Sequence, residues 1–170
     1  WCNVTEAVSV GDKVSLKGQI MRYNSTYQIK NGDVVLLQPK AQNVFWNFSN
    51  AEFNSLGTIS STETVDGLTI NATSSGTVVV DASSQTIDNI SFTHRLKLNG
   101  TGSANYRSLK FNITGDCTID IYLKSANSSE NRTLRIDFGT FNSNNYQKTS
   151  ATASIAKSTI SYTGEATTVY

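Results

Sequence analysis

Residues 86–124 read TIDNISFTHRLKLNGTGSANYRSLKFNITGDCTIDIYLK, three runs of strict alternation set off by turn residues. Phe92, His94, Leu96 and Leu98 share one parity, while Thr93, Arg95, Lys97 and Asn99 share the other. Leu109, Phe111 and Ile113 alternate with Ser108, Lys110 and Asn112, and Cys117, Ile119, Ile121 and Leu123 with Thr118, Asp120, Tyr122 and Lys124. Side chains of a strand point to opposite faces with a period of two, so each run is expected to bury one face and wet the other. Such a pattern excludes helices over this stretch and requires a second sheet to cover the apolar face. The wet face is expected to gather Arg95, Lys97, Lys110, Tyr122 and Lys124 against a single Asp120, a basic surface with one aromatic carried on neighbouring antiparallel strands.

Beyond the central runs, strands are expected at Leu68–Ala72, Thr77–Asp81, Thr133–Phe138, Ala153–Ile155, Thr159–Tyr162 and Thr167–Tyr170. Turn signals return at roughly the 8–12-residue spacing of a sandwich or barrel. Asn- and Thr-rich rungs also suit a parallel β-helix. However, no fixed period recurs, and Thr114-Gly115-Asp116 reads as a tight hairpin. The predicted fold is therefore all-β, a two-sheet antiparallel β-sandwich of jelly-roll type. Val44–Phe48 is expected as its first core strand, and Ser49–Glu52 has the spacing of a capping box opening one helical turn. Residues 1–38 form a small β appendage of three short strands, with turns near Asn24 and at Asn31-Gly32-Asp33, and Pro39 marks its boundary. The sandwich spans residues 44–170. The chain opens at Trp1 and closes inside a strand pattern at Tyr170, as a piece of a longer polypeptide would.

A formal net charge of +1 argues against nucleic acid as a partner, because phosphate-binding domains carry a strong basic excess. No apolar run approaches the roughly 20 residues needed to cross a bilayer as a helix, so no membrane partner is expected. Cys2 and Cys117 leave open a disulfide or a buried thiol, and no zinc spacing occurs. No cofactor is expected; Asp66, Asp81 and Asp88 sit near turns where a structural calcium ion could bind. His94 carries the apolar parity of its strand and reads as a core or rim residue. Without a second histidine or a nucleophile motif, no catalytic constellation stands out, and the chain is expected to be noncatalytic. Arg107 and Arg132 stand at strand starts and are expected to tie sheet ends. Arg95, Lys97, Lys110, Lys124 and Arg135 have solvent-side parity, where lysines also deter edge pairing. With Tyr122 among them, they offer charge-assisted bonds to carboxylates and a flat ring for a sugar. Tyr106 and Trp46 are further candidate platforms.

WNFSNAEFNSLG, VDGLTINA and the run from FTHRLKLNGTG to ENRTLRI resemble the noncatalytic β-sandwich modules attached to pectate lyases and other plant-cell-wall enzymes of gut and rumen bacteria. The resemblance covers about residues 44–170, and its most specific part is RLKLNG-TG with R-S-L-K-F and the later N-R-T-L-R. It implies a secreted or cell-surface bacterial module that binds plant cell-wall polysaccharide and is covalently linked to a catalytic domain. Some such modules recognise galacturonate polymers through lysines, which here match Lys97, Lys110 and Lys124. Pectic homogalacturonan is thus the expected ligand, with xylan or another neutral hemicellulose, or a structural or adhesive role, as alternatives. The module is expected to be a monomer. VGDKVSLKGQI and YQIKNGDVV separately resemble the last strands of OB-fold-like domains.

Overall fold

The structure, a computed structural model, describes residues 3–4, 10–38 and 43–170. It divides into two compact units, Trp1–Val44 and Phe45–Tyr170. Cys2 and the Pro39 boundary fall outside the described residues. Among the described residues, no helix is long and apolar enough to cross a membrane.

The first unit is a three-stranded sheet in the order β1 (Asn3–Val4), β3 (Thr26–Gln38), β2 (Lys13–Tyr23), with β1 parallel to β3. The chain reverses where expected, at Asn24, whose φ of 54° suits a tight turn. Asn31-Gly32-Asp33 does not turn; it lies within β3. Lys17 pairs with Asp33 and Gln19 with Lys30, so Gly18 alone faces Asn31 and Gly32. The extra residue is absorbed as a bulge, and the two short strands expected on either side of it are one long strand. Val14, Leu16, Ile20, Met21, Tyr23 and Tyr27 are all exposed, as expected of a hairpin too small to enclose a core.

The second unit is an antiparallel sandwich. One layer runs β14 (Thr167–Val169), β9 (Ser108–Ile113), β6 (Leu68–Asn71), β5 (Glu63–Val65). β11 (Arg132–Asp137) and β12 (Tyr146–Ala151) extend it, because Asp137 and Tyr170 exchange two backbone hydrogen bonds of 2.9 Å and Phe138 bridges Val169. The facing layer is made of β4 (Thr58–Ile59), β7 (Val78–Ile87) and β8 (Ile90–Lys97), and of β10 (Cys117–Leu123) paired with β13 (Ala156–Tyr162). Leu68, Ile70, Val78 and Val80 lead one core cluster, with Leu96, Leu98 and Leu109 against it. Ile136, Phe138, Ile160 and Val169 lead the other, with Ile113, Ile119, Ile121 and Leu134 against it. Phe111 packs against both. The predicted inward parity therefore holds at these positions, whereas Phe92 and Leu123 join neither cluster.

Several local expectations are corrected. Thr114-Gly115-Asp116 is not a hairpin: β9 pairs with β6 and β14, while β10 pairs with β13. Those three residues carry the chain from one layer to the other, and Gly164 N–H donates to Asp116 Oδ1 across 2.8 Å to hold the crossing. Tight two-residue hairpins lie instead at Asp88-Asn89 (φ 52° and 61°), between β7 and β8, and at Asp66-Gly67 (φ 47° and 75°), between β5 and β6. Val44–Phe48 forms no strand. Val44 and Phe45 are exposed, while Trp46 packs on Phe111 at 4.9 Å and donates Nε1–H to the Asp66 carbonyl, which makes it core rather than platform. The one helical turn, α1 (Ala51–Asn54), forms without a side-chain cap at Asn50. Ser49 Oγ is engaged elsewhere, accepting the Thr93 and His94 backbone N–H groups of β8 at 2.9 and 3.3 Å. Ala153–Ile155 is the connection between β12 and β13. β12 itself, YQKTSA, has no apolar alternation to betray it.

Candidate functional site

The six-stranded layer has an outer face, and its register lines up one row of side chains across it. Tyr146 stands opposite Asp137, and Asp137 opposite Tyr170. Val169 faces Phe111, and continuing that register puts Tyr170 opposite Lys110. Lys110 faces Thr69, and Thr69 faces Thr64. At ~4.8 Å per strand the row is roughly 24 Å long, with the two tyrosines about 10 Å apart.

Arg135 lies one step along β11, opposite Lys148. Its Nε donates to Asp137 Oδ1 at 2.8 Å and its Nη2 to the Ser143 carbonyl at 2.6 Å. The guanidinium thus held lies 3.9 Å from the centre of the Tyr146 ring, and Lys148 Nζ lies 5.3 Å from the same centre. Tyr146 is thus braced by cations and still remains 44% exposed. Asp137 is buried, and its second oxygen accepts the Asn142 N–H at 3.1 Å. That carboxylate is therefore a support, holding Arg135 and the 138–145 loop. Tyr170 is half-buried and meets Phe141 edge-on at 6.2 Å. The result is a row with two tyrosines and the cations Lys148, Arg135 and Lys110.

The structure brings together Lys110 and Arg135 of the residues singled out in the sequence; the other five lie elsewhere. Arg95 and Lys97 are on β8 in the facing layer, with Arg95 Nε and Nη2 on the two Asp81 oxygens at 2.7 and 3.2 Å. Tyr122 packs beside Phe92 at 5.4 Å, and its nearby cation is Lys157, itself paired with Asp120 at 2.9 Å. Lys124 follows β10, and Tyr106 belongs to the loop before β9. The five basic residues therefore do not form one patch, because β8, β9 and β10 are successive in the chain but not paired with one another. Tyr146, Lys148 and Tyr170 went unnoticed in the sequence, although Tyr146 and Lys148 are two apart and hence on one strand face. Among the described residues, no three His, Cys, Asp or Glu side chains gather as a metal site. Asp66 and Asp88 sit in separate turns, and Asp81 is engaged by Arg95. Cys117 carries a free thiol whose pKa burial pushes up.

The hydrogen bond from Arg95 lowers the Asp81 pKa below its usual 3.8. A depressed folded-state value means that the pair stabilises the fold above the unfolded pKa and loses that contribution as pH falls through the folded one. Both side chains are more than a third exposed, so the pair contributes less than ~1 kcal/mol. Asp81→Asn should lower stability by that small amount near neutral pH, and urea titrations should show the difference vanish once pH falls well below 3.8.

No protein-family model matches the chain, and no curated protein matches it in sequence.

Proposed function

We propose that the chain is a noncatalytic polysaccharide-binding module, and that the outer face of the six-stranded layer seats a stretch of acidic glycan, pectic homogalacturonan before others. The observation that carries this reading is the braced Tyr146 ring in line with Tyr170 and Lys110. Tyrosines two strands, about 10 Å, apart suit two sugars of one chain separated by an intervening residue, while Lys148 and Lys110 suit the carboxylates of a polyuronate. The sequence resemblance to modules of plant-cell-wall enzymes supports the same ligand class, a secreted or cell-surface bacterial setting and a linked catalytic domain. The two-ring spacing by itself also suits a neutral glycan such as xylan, and charge dependence separates the two ligands.

Isothermal titration against polygalacturonate, xylan, β-glucan and mannan tests the assignment, with polygalacturonate expected to bind best. Each exposed lysine contributes modestly, since water and salt screen surface pairs. Lys148→Ala and Lys110→Ala should each weaken polygalacturonate binding by roughly fivefold or less. Lys97→Ala and Lys124→Ala, on the other layer, should leave it unchanged. The opposite pattern would move the site to the β8 and β10 side.

A further inference from the structure

The sandwich unit has four arginines, and three of them pair with carboxylates: Arg95 with Asp81, Arg132 with Glu130, and Arg135 with Asp137. Arg107 pairs with none among the described residues. Its one hydrogen bond runs from Nη2 to the Ser75 carbonyl at 3.5 Å, the long limit of such a contact. Its Nε is buried and has no partner. A guanidinium is charged at every accessible pH, and a buried donor left unmet destabilises the fold that holds it. The backbone at Arg107 is also strained, with φ at 54°.

The surroundings are shaped to hold this residue. A Cβ on Gly102 would come within 2.4 Å of the Arg107 carbonyl oxygen, and one on Gly76 within 2.7 Å of the Tyr106 side chain. A Cβ on Gly100 would stand 3.2 Å from Arg107 Nη1. Three glycines thus make room for Tyr106 and Arg107, and the Ser103–Tyr106 bridge closes the loop that presents them. Tyr106 is 38% exposed, with its ring centre 5.9 Å from the guanidinium carbon. Strain, an unmet donor and an arginine without its acid, all in one built loop, are features of binding sites rather than of sheet ends.

We infer that Tyr106 and Arg107 form a second ligand site, at the end of the sandwich, that takes the carboxylate of an acidic sugar. A carboxylate that takes the place of the Ser75 carbonyl on Nη2 draws the guanidinium outward, so that Nε, buried until then, donates to it as well and the orphan donor is met, while the sugar ring lies against Tyr106. The ligand class is taken from the reading above, but the residues are separate from the outer face.

The test follows the arginine Nε–H signals and the backbone amides by NMR as the full chain is titrated with trigalacturonate, with xylotriose as the neutral control. The Arg107 Nε–H signal should shift with trigalacturonate alone and should still do so in Tyr146→Ala. Arg107→Lys keeps the charge but loses the two-pronged donor, and its Tyr106 amide should need at least about tenfold more ligand for half its shift. Tyr106→Ala, which leaves the arginine in place, should also weaken this site. Movement of the Lys110 and Lys148 amides without Arg107 would overturn the second site and leave the outer face standing. Movement of Arg107 alone would do the reverse, and movement of neither would overturn both.

Discussion

Phe111→Ala should destabilise the protein by about 3–5 kcal/mol, read as a fall in the midpoint of urea unfolding at constant slope. The size follows from position. Phe111 sits on β9, near the middle of the six-stranded layer, and it is the one side chain on that strand that packs against both core clusters. Its ring also meets Trp46 at 4.9 Å, tilted by 58°. Removing it opens a gap that neither cluster can close alone, because each is fixed to a different pair of facing strands. The Trp46 indole also loses its partner, so its fluorescence should shift toward that of an exposed ring before unfolding begins. A loss below ~1 kcal/mol would mean that the two clusters are independent and that the layer is not continuous through β9.

Tyr146→Ala should weaken polygalacturonate binding by roughly tenfold or more while leaving the fold intact. The ring is 44% exposed, so its removal opens no core cavity. Its loss deletes one of the two stacking faces and also uncovers the Arg135 guanidinium that lies 3.9 Å away, which Asp137 and the Ser143 carbonyl still hold. Tyr146→Phe keeps the ring and should retain most of the affinity, which separates stacking from any role of the hydroxyl. Unchanged affinity in a folded Tyr146→Ala protein would remove the outer face from consideration.

What could be read in the sequence, and what could not, follows from the range of each interaction. Alternation is a local property, and it correctly turned Leu96, Leu109, Phe111, Ile119 and Ile136 inward and Lys97, Lys110 and Arg135 outward. Pairing is not local. Gly115 looks the same in a hairpin as in a crossing between layers, and that connection decided whether Lys110 and Lys124 shared a surface. β12 escaped notice because its inward positions are Gln147, Thr149 and Ala151, with no large apolar residue. Gln147 faces inward yet stays at the rim, where its amide donates to the Ser161 carbonyl of β13 at 2.8 Å. With β12 unseen, Tyr146 and Lys148 had no strand to stand on. Arg107 was placed rightly at a strand start, but its missing acid partner is visible only in three dimensions.

The most direct test of an acidic ligand on the outer face is the salt dependence of binding. Titrations with polygalacturonate and with xylan should be run from low ionic strength to ~0.5 M salt, where the screening length falls to a few Å. Polygalacturonate affinity should fall markedly over that range and depend less on salt in a Lys110→Ala, Lys148→Ala double variant, while xylan binding stays weak and flat. Salt-insensitive binding, equal for polygalacturonate and xylan and untouched by the double variant, would contradict the proposal.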